Sequence, residues 1–552
     1  MHLSSQESET DFARDNVFGY SIETEMVHAA QTDETYGTDE SSDESDDEQD
    51  QPNEEEQIED WMLLCRLNQH YEDAGNQMAN NEAVDWFEAA RGVPGDLLRE
   101  SPGWISKQRR DAEEQGMQYH TGDQQVVVDP GTLNDKQRLA FDIITASMAN
   151  DECEPLHMIV SGTAGTGKTY LISALKQVLQ DQCIVTATTG IAAFSIGGQT
   201  LHSAAQLPIR EYRELQGDSL QRLQLRLEGK RFLIIDEMSM IGHKMLSWLD
   251  NRLRAGTGKE DVPFGGMSII LMGDFGQLPP VGDRPMYIAG NGSVISDHGH
   301  SMYLTFDYVV ILEQVMRQIG EDPEVVAFRA LLMRMRDGQV TEMDWRLLIQ
   351  HSRPNVSMDQ FSDAIRLYFD KKSVAEYNYE KLLEIGQPLV KIQARHSGRG
   401  ASAATSDEAE NMGPPNLPIA VLVHFPAYSG TAFLQECSKC IPVPPRLFEW
   451  MADGKYLSRQ QLPLRLRYAM TIHKSQGQTL TKAVVDLGKG ERVAGCTFVA
   501  TSRVRSIHDI VFEPMTFDRL KVIGRNKNLK IQQEAERRLR VLAEKTEQRH
   551  KH

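Results

Sequence analysis

Long apolar runs are missing from this chain of 552 residues. No stretch approaches the roughly 18 consecutive apolar residues of a membrane-spanning helix, so no membrane span is expected. The first residues, Met1-His-Leu-Ser-Ser-Gln-Glu7, have neither a basic start nor an apolar centre. No secretory signal is visible there, and the segment is too acidic for a mitochondrial transit peptide. Cysteine is scarce, six in all, too few for a disulfide framework. Cys437-Ser-Lys-Cys440 is a lone C-x-x-C with no second Cys or His pair at zinc-site spacing. It reads as free thiols in a reducing compartment. Internal repeats are also absent.

Positive charge is lacking mainly at the front. Residues 1–60 hold 21 Asp or Glu against one basic residue, Arg14, so −20 of the net −22 sits there and the remaining 492 residues carry −2. The body is close to neutral, and its acidity does not argue against nucleic acid. From Arg519 onward, 11 Lys or Arg face 4 Asp or Glu. That asymmetry fits a nucleic-acid contact or a solvated helix.

What is present is a phosphate-binding loop. Gly162-Thr163-Ala164-Gly165-Thr166-Gly167-Lys168-Thr169 satisfies G-x-x-x-x-G-K-[ST]. An apolar run, Leu156 to Val160, precedes it as a short buried strand, and Tyr170 to Leu179 follows as a helix. Glycines let backbone N–H groups curl around phosphate oxygens, and the helix N-terminus adds positive potential. Lys168 would reach the β- and γ-phosphates, and Thr169 would place its hydroxyl on Mg²⁺.

Further strands are expected at Cys183–Ala187, Phe232–Ile235 and Ser268–Met272. Their alternation with helices predicts a parallel sheet covered on both faces, with ligands at the carboxyl ends of the strands. One such end carries Asp236-Glu237, where Asp236 would hold Mg²⁺ and Glu237 would orient and deprotonate water. Another leads into Gly273-Asp274-Phe-Gly-Gln277-Leu-Pro-Pro280, where Gln277 would sense the γ-phosphate. Two distant arginines, Arg317 and Arg503, would meet that phosphate if a second domain closes on the first. Two stretches rich in hydroxyls suit backbone contacts to a nucleic-acid strand. One runs from Thr188 and Gly190 to Thr200 and His202; the other from Thr471 through His473, Ser475 and Gln476 to Thr479. The same residue types also serve as helix caps and turns.

Together, from Leu133-Asn-Asp-Lys-Gln137 to about Pro514, these motifs resemble superfamily 1 DNA helicases of the Pif-one (petite integration frequency) family, closest to eukaryotic, Helitron-like members. The resemblance makes Gln137 an adenine-reading glutamine. It implies an α/β fold of two RecA-like parallel-sheet motor domains, ATP and Mg²⁺ as cofactors, and single-stranded and duplex DNA as partners. Implied too are 5′→3′ unwinding and roles in repair, recombination, telomere maintenance or mobile-element replication; the DNA substrate makes the nucleus the expected location, and a monomer is expected.

The domain reading places a disordered acidic tail at 1–60 and a helical extension at 61–128. The first RecA-like domain follows at 129–307, with a wedge insertion at 203–229. The second spans 308–400 and 461–515, interrupted by a small β-barrel-like insertion at 401–460. A basic helix closes the chain at 516–552. The sequence departs from the family between Leu389–Gln393 and Ile419–Phe425, where a polar loop replaces a few dozen residues. A helicase remnant that only binds nucleotide or DNA is therefore the alternative. Other phosphate-loop enzymes have no use for the Gln277, Thr471–Thr479 and Arg503 motifs.

Overall fold

The computed structural model describes residues 128–149, 154–208, 212–316, 322–353, 355–386, 394–397, 420–426, 428, 437–452, 455–488, 490–491 and 493–550. The expected acidic tail, almost all of the 61–128 extension and most of the polar 394–416 loop lie outside them. Arg317 does as well.

Six strands form the first sheet: β1 (His157–Gly162), β2 (Cys183–Ala187), β3 (Gln199–Thr200), β4 (Phe232–Asp236), β5 (Ser268–Gly273) and β6 (Tyr308–Leu312). All pair parallel, in the order β3-β2-β4-β5-β1-β6. The strands are apolar at nearly every position because both faces are covered. In β1, Ile159 enters one core with Leu233, Leu271 and the helix His243–Thr257. Met158 and Val160 enter the other, with Leu171, Leu175 and Ile270. The side-chain period of two thus feeds two cores from one strand.

The boundary expected at residue 307 is corrected. Tyr308–Leu312 does not open a second domain; it pairs along β1 as the edge of the first sheet. The last helix, Lys527–His550, also returns to this edge. Thr546 Oγ1 accepts from the Val309 N–H at 3.0 Å, Leu539 and Ala543 join the first sheet's core, and Arg549 pairs with Asp307.

A second parallel sheet, in the order β13-β7-β14-β15, consists of β7 (Ile365–Tyr368), β13 (Ala469–Thr471), β14 (Ala483–Val485) and β15 (Ile510–Phe512). Its core gathers Phe328, Leu331, Leu367, Val485, Val499 and Phe512. Both sheets belong to one compact unit; residues 379–466 belong to another. That second unit holds an antiparallel pair, β9 (Val421–His424) with β10 (Cys440–Val443). It also holds an antiparallel set in which β12 (Lys455–Gln461) lies between β8 (Arg395–Ser397) and β11 (Arg446–Ala452). Cys437 and Cys440 are joined in a disulfide, not free as expected. The turn before β10 brings their Cα atoms to 5.4 Å, within bridging distance. Among the described residues no helix is long and apolar enough to cross a membrane.

Candidate active site

The phosphate-binding loop leaves β1 and enters the helix Lys168–Leu179. Gly165 and Gly167 take φ of 87° and 83°, a region that L side chains rarely occupy. A Cβ on Gly167 would also lie 2.3 Å from Gln137 Nε2. Gln137 is buried against the loop, donating to the carbonyls of Thr166 (3.2 Å) and Gly167 (3.4 Å). Its amide oxygen accepts from the Asn134 N–H, and Asn134 Oδ1 accepts from the Gln137 N–H in return. Loop and glutamine therefore hold one another. Lys168 curls over the loop, its Nζ donating to the carbonyls of Gly162 (2.7 Å) and Thr163 (3.1 Å).

β4 ends in the two carboxylates, both buried. Burial, and then the neighbouring Glu237, push Asp236 up to about 7, while Lys168 pulls it down. Such a carboxylate pair, with Lys168 and the Thr169 hydroxyl lining the same cleft, suits a hard divalent cation. Glu237 has left-handed backbone angles (φ 58°, ψ 48°), a strained state for a non-glycine residue that persists only where its surroundings enforce it. Thr188 Oγ1 donates to its carbonyl at 3.2 Å. From the second sheet's side, Gln476 Nε2 donates to Glu237 Oε2 at 3.0 Å.

Beyond β5, the Asp274 carboxylate is gripped by Arg336, which also pairs with Glu536 of the last helix. Gln277, three residues on, is buried, and its amide oxygen has no hydrogen-bond partner among the described residues.

These elements share one cleft of about 480 Å³. Lys168, Thr169, Asp236, Glu237 and Gln277 line one side; Gly477, Thr479, Arg503 and Arg505 line the other. Arg503 is 1 % exposed. Its guanidinium donates to the carbonyls of Val499, Ser475 and Gln478 and to the Ser502 hydroxyl. Those bonds fix its place in the cleft wall, whereas Arg505 is exposed.

The residues expected to touch a strand divide in two. Gly190 opens an exposed turn of helix, Gly190–Ser195, whose Phe194 is 58 % exposed. Thr200 caps the next helix, and half-buried His202 lies within it. His473 lies in the short helix Ile472–Ser475, where Thr471 is the cap residue. The two stretches meet at Gly477, where a Cβ would lie 3.1 Å from Ala192. Thr471, Ser475 and Gln476 are buried, which corrects their reading as surface contacts. Ser475 Oγ donates to the Ile472 carbonyl, and Gln476 Nε2 donates to Glu237. Thr188 is likewise turned to Glu237.

Sequence reasoning missed Tyr170, Met316 and Arg505 in the cleft wall and Arg336 behind it, and it placed Thr479 among the strand contacts rather than in the cleft. Arg505 alone had a local signal, as the second arginine of Ser502-Arg-Val-Arg505.

The PIF1-like helicase family model matches residues 132–346. The human ATP-dependent DNA helicase PIF1 is 31 % identical over 394 residues, 64 % of this chain and 58 % of that one. Two solved structures share the fold. Pif1 helicase from Candida albicans has a TM-score of 0.53 at 24 % identity, covering 72 % of this chain and 98 % of its own. Pif1 from Bacteroides with ADP-AlF3 and ssDNA has a TM-score of 0.51 at 23 % identity, covering 72 % and 96 %. The chain spans between 52 % and 63 % of the length of the first curated relatives it matches.

Proposed function

We propose that the chain belongs to the PIF1-like helicase family and is an ATP-dependent DNA helicase moving 5′→3′ along a single strand. One observation carries this reading. The cleft is lined from the first sheet by the phosphate loop and the acidic pair, and from the second sheet by arginines. Such a cleft is completed only when both sheets contribute, so hydrolysis and relative movement of the sheets are coupled.

Gln137 would hold the adenine beside the loop, and Lys168 would hold the β- and γ-phosphates. Thr169 and Asp236 would hold Mg²⁺, which when bound neutralises phosphate charge. Glu237 would take a proton from the attacking water, and Gln277 would orient that water. Arg503, with Arg505 beside it, would offset charge as the γ-phosphoryl group leaves. Exposed Phe194 and Ile191 offer a stacking surface for bases of a bound strand. The proposed substrates are single-stranded DNA and duplexes with a 5′ tail. The setting that follows is nuclear repair, recombination or telomere upkeep, or mobile-element copying.

The test is ATP turnover with and without single-stranded DNA, followed by unwinding of duplexes with a 5′ or a 3′ overhang. DNA-stimulated turnover and unwinding from the 5′ overhang alone are expected. Nucleotide binding without stimulated phosphate release would instead indicate a remnant that only holds its ligands.

A further inference from the structure

Away from the cleft, three metal-ligating side chains from separate segments of the second sheet's body converge. Glu324 is the second residue of the helix Pro323–Arg336, its N–H held by Asp322 Oδ1 at 3.0 Å. His351 follows the helix Glu342–Gln350, and its carbonyl accepts from the Phe512 N–H at 2.9 Å, which ties it to β15. His508 lies in a turn just before β15, its N–H held by Ser506 Oγ. All three backbones are thus fixed independently.

The side chains aim at one point. His508 Nε2 lies 3.0 Å from Glu324 Oε2, His351 Nε2 lies 3.8 Å from Glu324 Oε1, and one ligand atom from each residue falls within 4.8 Å of the others. The imidazole rings are 5.4 Å apart at 63°. Among the described residues, the ion pairs of Glu324 are with these two imidazoles. A simple hydrogen bond accounts for His508. It does not account for His351, whose nitrogen faces the same carboxylate from beyond hydrogen-bond range.

We infer that Glu324, His351 and His508 form a binding site for a late first-row divalent cation, zinc above all. Two imidazoles and one carboxylate are an established zinc ligand set, with solvent in the fourth position. Imidazole is neutral above about pH 6.5 and so available to a metal at neutral pH. Bonds of about 2.0–2.2 Å require the wider separations among the ligand atoms to close by roughly 1 Å, while His508 and Glu324 are already near enough. Exposed Glu324 and His508 have the rotamer freedom to do so. The consequence reaches the cleft. His508 is three residues beyond Arg505 and five beyond Arg503. A bound ion would tie that arginine segment to the helices that begin at Pro323 and end at Gln350.

The full chain, stripped with EDTA and dialysed, is titrated with ZnCl₂ by calorimetry. A parallel titration with Co²⁺ is followed by visible absorption. One equivalent should bind, with cobalt bands lacking thiolate charge transfer. His508→Ala and Glu324→Gln should each weaken zinc by more than about tenfold, since even outer-shell changes cost that much. His424→Ala, which removes an exposed imidazole elsewhere, should leave it unchanged. Melting in EDTA checks that the variants fold, and Glu324→Gln keeps the shape of the side chain should His508→Ala disturb it. Zinc binding unaffected by both variants, or a thiolate signature in the cobalt spectrum, overturns the site.

Discussion

The Gln476–Glu237 hydrogen bond predicts a brake on ATP turnover. Gln476 is 1 % exposed and donates to Glu237 Oε2 at 3.0 Å, and more weakly to Ser239 at 3.4 Å. Its amide oxygen has no hydrogen-bond partner among the described residues, so the amide is held at one end only and can be drawn away. The residue also directly follows the short helix that carries His473. A strand bound there would move Gln476 and release the carboxylate proposed to activate water. A buried hydrogen bond to a charged group contributes about 1.5–3 kcal/mol. At about 1.4 kcal/mol per factor of ten, Gln476→Ala should raise DNA-free turnover by roughly ten- to a hundredfold. DNA-stimulated turnover should stay within about threefold of wild type, because the brake is already off in that state. The assay is steady-state phosphate release with and without oligo-dT, with melting curves to confirm folding. If turnover falls in parallel with and without DNA, Gln476 positions Glu237 productively, and the brake is refuted.

Five further outcomes follow. Lys168→Ala should abolish ATP turnover, while Glu237→Gln should keep nucleotide binding and lose hydrolysis, read by fluorescent-nucleotide titration beside phosphate release. Arg503→Ala should preserve nucleotide affinity and slow hydrolysis about 10³-fold, as for other arginine fingers; unchanged turnover would remove it from the reaction. Arg336→Met leaves buried Asp274 and half-buried Glu536 without their cation and should cost about 3–5 kcal/mol in urea unfolding, whereas a loss below about 1 kcal/mol would mean a solvated pair. Asp236, raised to about 7 by burial and then by Glu237, holds a proton in the folded chain that the unfolded chain releases above about pH 4. Its contribution to stability is present below that pH and is lost as pH rises through 7. Mg²⁺ must displace this proton, so Mg²⁺–nucleotide binding at pH 6 should release close to one proton, measured by calorimetry in buffers of different ionisation enthalpy. Zero release would show Asp236 already ionised.

The first sheet was legible because its signals are local. Buried parallel strands must be apolar at almost every position, and β2 falls at the expected Cys183–Ala187. The phosphate loop is equally local, a run of eight residues whose glycines meet a steric demand. What escaped is non-local. Tyr308–Leu312 has the pattern of any buried strand, and nothing within it says which sheet it joins. Gln476 reaches Glu237 across 239 residues, and Arg336 reaches Glu536 across 200. Residue type misled as well. Ser475 and Gln476 suit a phosphate backbone, but the turn after β13 buries both and uses them to satisfy polar groups inside the protein.

These long-range contacts form a connected path with a mechanical consequence. Asp274 begins the loop that carries Gln277, and its carboxylate is bound by Arg336, the last residue of the helix Pro323–Arg336. That helix packs in the second sheet's core through Phe328, Leu331 and Met335. The same guanidinium binds Glu536, whose helix packs along β6 of the first sheet through Leu539 and Thr546. Arg336 thus sits where the Gln277 loop, the second sheet's body and the first sheet's edge meet. A shift of the second sheet must either carry the Gln277 loop with it or break a buried ion pair, and breaking such a pair costs several kcal/mol. Arg336 is therefore the side-chain link through which movement of the second sheet would reach the Gln277 loop.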